Sequence, residues 1–149
     1  MLSAWTGDTF YLDTNIVIFA VERDNQWSTV LKDLFQAIDE RAIHAFTSEL
    51  TIAEILVKPI AMGADDLIGT YNQVLAPDSI INVVPIDRGI LISAAEFRAK
   101  TAVKLIDAIH MATARLCACE FFLTNDEALG TKVSPDMRWI RLSDLAEDA

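Results

Sequence analysis

Four acidic residues stand where acids are costly unless they do chemistry. Asp13 follows the apolar, β-prone run Thr9-Phe10-Tyr11-Leu12, and Asp126 follows Phe121-Phe122-Leu123-Thr124 after a single Asn125. Runs of this kind read as strands buried on both faces. Each acid therefore sits where such a strand runs out, the place where open α/β sheets bind their ligands. Asp107 lies among Leu105, Ile106, Ala108 and Ile109, and Glu54 lies within Ile52-Ala53-Glu54-Ile55-Leu56-Val57. An ionised carboxylate in apolar surroundings is expensive unless it is paired or bound to a cation. Two unit charges ~4 Å apart repel by about 4 kcal/mol at an effective dielectric of ~20, so four gathered carboxylates call for a cation. Without one, at least one of them titrates above its ordinary range. Oxygen donors with neither imidazole nor thiolate suit hard ions, Mg²⁺ or Mn²⁺, rather than zinc. Such ions hold a phosphate and a water together, and the chemistry this predicts is hydrolysis of a phosphodiester.

Each acid also has a plainer reading. Glu54 can pair with Lys58 at i, i+4. Asp13 and Asp126 can cap the helices that follow them, and Glu127 stands beside Asp126 as a rival ligand. Asp107 can pair with Arg115 or Lys104. His110, one turn beyond Asp107, reads as a core histidine with satisfied hydrogen bonds and is not cast as a general base. Arg98, Lys100 and Lys104 form either a solvated basic face or a grip on phosphates, with Arg98 the leading substrate-side residue. Trp5, Trp27 and Trp139 read as packing residues before base-stacking ones.

The elements that must position these residues alternate strand with helix, which predicts a layered α/β domain. A helix is expected from about Ile16 to Val21. Val30, Leu31, Leu34, Phe35 and Ile38 mark one face of a second. His44 to Thr47 reads as a strand, followed by a helix that Ser48 caps, Pro59 ends and Glu54 rides on. Leu67, Ile68, Tyr71, Val74 and Leu75 mark another helix, and Ile80 to Ile86 a strand. Further helices are expected over Asp87 to Ala99 and Leu105 to Ala118, the latter apolar on nearly every side and so central to the core. Trp139 to Leu142 reads as a last strand, and Asp144 to Asp148 as a solvated helix end. The total is about five strands and six or seven helices.

A chain of 149 residues has room for one domain, residues 1–149, and no repeat or linker divides it. Its hydrophobic fraction of 52% is high, yet no apolar run approaches the ~18 residues that cross a bilayer. The surplus predicts an apolar patch for a partner or a second copy. A formal charge of -10 argues against broad, charge-driven binding of nucleic acid and favours a basic protein partner. Cys117 and Cys119 fit neither a disulfide framework nor a zinc site and read as packing thiols. Met1 to Asp8 carries no export signal, which makes a cytoplasmic location the default.

Tyr11-Leu12-Asp13-Thr14-Asn15, Ser48-Glu49-Leu50-Thr51-Ile52-Ala53-Glu54, Leu105-Ile106-Asp107-Ala108-Ile109-His110-Met111-Ala112-Thr113-Ala114 and Leu123-Thr124-Asn125-Asp126 occur in this order. Together they resemble the PIN-domain nucleases, and most nearly the VapC-type toxins of toxin–antitoxin pairs. The resemblance runs from Tyr11 to about Leu142. It implies a three-layer α/β fold with a central parallel sheet and helices on both faces. It also implies metal-dependent cleavage of RNA, a homodimer, and inhibition by a small cognate antitoxin. Position by position, Asp13, Glu54, Asp107 and Asp126 match the catalytic, metal-binding acids, and Thr14, Asn15, Ser48, Thr124 and Asn125 match the polar residues that orient them.

Other function classes are weighed against this one. A haloacid-dehalogenase-like phosphatase needs a second Asp two residues after the first, where this chain has Asn15. A catalytically silent PIN-fold binding module is expected to have lost an acid, and none is lost. A housekeeping nuclease outside any toxin pair is the remaining alternative.

Overall fold

The computed structural model describes residues 2–22 and 24–148. Met1 lies outside this set, as does the side chain of Asp148. Five strands form one sheet: β1 (Thr9–Leu12), β2 (His44–Ser48), β3 (Ile81–Val84), β4 (Phe121–Leu123) and β5 (Arg138–Ile140). All pairings are parallel and the order is β3-β2-β1-β4-β5. The chain steps outward from β1 on one side and returns to its other side with β4. The crevice beyond the carboxyl ends of β1 and β4 is therefore the topological switch point.

Helices α1 (Thr14–Val21), α2 (Ser28–Asp39), α3 (Leu50–Met62) and α4 (Asp65–Val74) alternate with the first strands. Helices α5 (Arg88–Thr101), α6 (Leu105–Leu116), α7 (Glu127–Gly130) and α8 (Leu142–Asp148) complete the order. Strand pleating sorts them into two layers. Phe10, Leu12, Phe121 and Leu123 project into one core with Ile16, Val17, Leu31, Leu34, Ile38, Ile55 and Tyr71, contributed by α1 to α4. Leu142 and Leu145 of α8 join the same core. Tyr11 and Phe122 project to the opposite face, stacked 5.1 Å apart, and meet Met111 and Ala114 of α6 and Leu129 of α7. Helix α5 lies outside α6, packing Ile90 and Ala94 on Ala108, Ile109 and Ala112. This is the three-layer arrangement expected from the resemblance. Burying a side chain of this size contributes about 1.5–3 kcal/mol, which is why the continuously apolar β1 occupies the middle of the sheet.

Several boundaries differ from expectation. Pro59 does not end α3: the helix runs on to Met62 and stops at Gly63, whose φ of 63° is the left-handed conformation glycine adopts without strain. Pro59 is buried within the helix, so packing outweighs the hydrogen bond its ring nitrogen cannot donate. Helix α6 ends at Leu116, not Ala118. Ala108 to Ala114 are all buried, but Leu105 and Ile106 on its first turn are 50% and 45% exposed, so this helix is central only beyond Asp107. Strand pairing covers Ile81 to Val84 rather than Ile80 to Ile86, and Leu142 opens α8 instead of closing β5. The short α7 is absent from the sequence reading because four residues carry no periodicity.

Candidate metal centre

Asp13 is the first residue after β1 and caps α1, its Oδ1 accepting the Thr14 N–H at 2.9 Å. Capping and a place at the switch point are therefore not alternatives: one carboxylate does both. The second oxygen, Oδ2, accepts the Thr124 hydroxyl at 2.8 Å across the β1–β4 crevice. Thr124, fully buried, in turn accepts the Asp126 N–H at 3.0 Å, so one hydroxyl ties Asp13 to the backbone of Asp126. The Asp126 side chain caps α7 through Oδ1, which accepts the N–H groups of Ala128 and Leu129.

Glu54 arrives from α3. Its Oε1 accepts the Thr14 hydroxyl at 2.8 Å and lies 2.6 Å from His110 Nε2. It turns to His110 rather than to Lys58. Thr14 Oγ1 also lies 3.1 Å from the hydroxyl of Thr51, one turn before Glu54, and that hydroxyl is 3.0 Å from Thr47 Oγ1. Thr47 donates to the Leu12 carbonyl at 2.9 Å, so a run of buried hydroxyls joins β1, β2 and α3 beneath the acids. Asp107 comes from the first turn of α6, and His110 lies three residues on, on the same stripe of the helix. His110 is fully buried with its Nδ1 2.6 Å from the Tyr11 hydroxyl.

Asp13 is held above the ordinary aspartate range by burial, which outweighs the opposing pull of His110 and the hydrogen bonds from Thr124 and Thr14. Asp107 is raised first by burial, then by the negative charges of Asp13 and Asp126, with His110 and Lys104 pulling the other way. Burial also raises Glu54, but the hydrogen bond and charge of His110 together with the Thr14 hydroxyl outweigh it and leave Glu54 lowered. Tyr11 is pushed well above the usual phenol range by burial and by Asp13, so it remains a phenol. The negative charge of Asp13 and Asp126 on Asp107 is what a divalent cation would relieve, and the donor set is oxygen alone. The residues thus suit a hard cation. As placed, no three His, Cys, Asp or Glu side chains among the described residues close on a common point. Glu54 is committed to His110, and one Asp126 oxygen to its helix.

The other candidates fall into separate roles. Thr14 and Thr124 contact the acids directly. Ser48 accepts the Leu50 N–H at 3.0 Å and so serves the start of α3. Asn125 accepts the Leu142 N–H at 3.0 Å, fastening the turn after β4 to α8. Asn15 is exposed on the first turn of α1. Arg98 is exposed and donates to the Val103 carbonyl at 2.9 Å, closing the turn between α5 and α6 just before Asp107. Arg115 lies 3.8 Å from Asp136 rather than beside Asp107. Trp5 packs edge-on against Phe10 and Phe121, Trp27 packs on the α1–α4 core, and Trp139 donates from its indole to the Thr124 carbonyl at 2.9 Å. Tyr11, Thr47 and Thr51 were missed by sequence reasoning. The one available signal was Thr51, a turn before Glu54.

No curated protein matches the sequence. Among solved structures, a chain of the DNA-bound VapBC complex from Salmonella typhimurium superposes with a TM-score of 0.71 at 18% identity, covering 91% of this chain and 98% of that one. VapC20 from Mycobacterium tuberculosis, a sarcin–ricin loop cleaving toxin, superposes at 0.67 with 13% identity, covering 87% and 98%. FitAcB from Neisseria gonorrhoeae gives 0.64 at 17% identity, covering 90% and 98%. At such identities these likenesses speak to the fold. The sequence itself matches the PIN domain over residues 10–132, a stretch that contains all of β1 but its first residue, β2 to β4, and all four acids. Spanning most of the chain, that match shows that the chain belongs to the PIN-domain family of nucleases.

Proposed function

We propose that this single PIN-like domain, residues 1–149, is a Mg²⁺- or Mn²⁺-dependent endoribonuclease and the toxin of a toxin–antitoxin pair. The observation that carries the reading is the Thr124 hydroxyl joining Asp13 to the backbone of Asp126 at the β1–β4 crevice, with both acids near enough to raise Asp107. Asp13, Glu54 and Asp107 hold the cation, and Asp126 is a fourth ligand or an immediate neighbour. Thr14 and Thr124 orient Glu54 and Asp13 through hydrogen bonds to one oxygen of each. Ser48 and Asn125 hold the backbone around the site, Asn15 is a further orienting donor, and Arg98 is the substrate-side residue. When bound, the cation supplies Lewis-acid chemistry, lowering the pKa of water and neutralising charge on the phosphate.

RNA as substrate is supported by the likeness to the sarcin–ricin loop cleaving toxin, and an antitoxin partner by the likeness to toxin–antitoxin complexes. The acidity of the chain favours an antitoxin with basic side chains. No helix among the described residues is long and apolar enough to cross a membrane, and a cytoplasmic location fits an RNA substrate. With a structured RNA, we expect cleavage that EDTA blocks and Mg²⁺ or Mn²⁺ restores, leaving 5′-phosphate and 3′-hydroxyl ends. Cleavage undiminished by EDTA, or a cyclic phosphate end, counts against the reading.

The surface also favours a homodimer. Val57, Ile60 and Met62 on α3 are 68%, 60% and 69% exposed, and Leu91, Ile92, Leu105 and Ile106 on α5 and α6 add to them. Apolar surface of this extent on a small domain marks protein contacts. Sedimentation at micromolar concentration is expected to show a dimer. A monomer there removes the homodimer from the reading and leaves the nuclease untouched.

A further inference from the structure

Glu54 owes its orientation to a group buried behind it. Both donors that reach it, the Thr14 hydroxyl and His110 Nε2, fall on Oε1, and neither falls on Oε2. His110 is itself fixed from behind, because its Nδ1 meets the hydroxyl of Tyr11, a side chain with no exposed surface. A phenol hydroxyl has one hydrogen: donated to Nδ1 of a neutral ring, it leaves the ring proton on Nε2, the nitrogen facing Glu54, and in the protonated ring Nε2 carries a proton towards Glu54 as well. The residues come from three elements, β1, α3 and α6, and are separated by up to 99 positions in the chain.

We propose that Tyr11 and His110 form a buried relay that acts as a positioning device for Glu54, saturating Oε1 so that Oε2 alone is presented to a divalent cation. This rests on the nuclease reading of the site. His110 is a positioning residue: it acts through Glu54 and touches neither cation nor substrate. Partners that fix a ligating carboxylate are worth roughly 10- to 100-fold in metal affinity. The Gln side chain at position 110 keeps an N–H donor, whereas Ala keeps none, so the relay separates the two substitutions where a packing role does not.

The test uses the full chain, Mn²⁺ as the probe followed by electron paramagnetic resonance, and nitrogen NMR of the imidazole. His110→Ala is expected to bind Mn²⁺ about 10-fold or more weakly, and His110→Gln to recover most of that loss. Tyr11→Phe is expected to weaken binding by a smaller factor and to redistribute the ring proton. Equal affinity in wild type and His110→Ala, or a Gln variant as weak as the Ala one, overturns the relay while leaving the metal site standing. If His110→Ala does not fold, Tyr11→Phe decides, and unchanged affinity and ring proton overturn the proposal. The NMR signature needs no cation, and a ring proton found on Nδ1 alone overturns the relay even if Mn²⁺ binds. A wild-type chain that binds no Mn²⁺ overturns the reading of the site, and this role falls with it.

Discussion

Asp13→Asn is expected to lower RNA cleavage on the order of 10³-fold or more while leaving a folded protein, because the substitution removes a charge from the cation site and little else. The Asn Oδ1 still accepts the Thr14 N–H that caps α1. Its amide nitrogen faces Thr124, which must now accept where it donated, a loss of about 1 kcal/mol. Against that stands a gain. Burial holds the Asp13 carboxyl above its ordinary value of 3.8, so the folded chain binds that proton more tightly than the unfolded one. Such a group contributes stability that is fully present below the unfolded pKa and is lost as the pH rises through the folded one. Asn never pays that loss. Without divalent ions, the melting temperature of the variant relative to wild type is therefore expected to fall as the pH drops from 7 towards 4. A relative melting temperature that rises instead means the Asp13 anion is stabilised in the fold, and the crowded-carboxylate picture is wrong. The same shifts bear on metal affinity: with Asp13 and Asp107 both raised, protons compete with the cation at a higher pH than ordinary aspartates would allow.

Gly130→Ala is expected to be the most damaging single methyl in the molecule. A methyl at Gly130 would overlap Cε2 and Cδ2 of the Trp139 indole, inside any permissible contact. The indole cannot simply swing away. Its N–H is bonded to the Thr124 carbonyl at 2.9 Å, and the Arg141 guanidinium lies 5.3 Å from the ring centre. Overpacking of this kind costs about 1–3 kcal/mol, and losing the indole hydrogen bond adds about 1 more. For a chain of this size that corresponds to a fall in melting temperature of roughly 5–15 °C. Cleavage is expected to fall as well, since Thr124 holds Asp13 on one side and Asp126 on the other. Gly69→Ala is the control: Gly69 is exposed within α4 with nothing within 4 Å of an added methyl. There the change is expected to stabilise by up to about 1 kcal/mol, because Ala is the better helix former. A Gly130 variant that melts with wild type would show that the indole has room to move.

The strand-end acids were legible because a carboxylate directly after an uninterrupted apolar run has few explanations. β1 appears in the structure over the residues its composition marks, and the buried stripe of α2 is the periodic one, with Phe35 at its edge. The strand order was not legible from the residues: all five strands are short, and nothing in a parallel strand names its neighbour. His110 shows the limit most clearly. Its burial and satisfied hydrogen bonds were expected, but its partner was not, since Glu54 meets it only once α3 and α6 are packed against the same end of β1. Pro59 misled because a rule about isolated helices met a buried site where packing decides.

The hydrogen bond between Asp13 and Thr124 spans 111 positions of chain. No growing chain shorter than 124 residues can form it. A growing chain can complete β1, α1, β2 and α3 and still lack Asp107, the β4 strand that pairs with β1, and the hydroxyl that holds Asp13. The acids come together only after the segment around residue 126 has left the ribosome, so on the proposed reading the nuclease would be made beside RNA in an inert form. Its own synthesis acts as a delay, and the interval before the last strands dock is the time available for a partner to arrive.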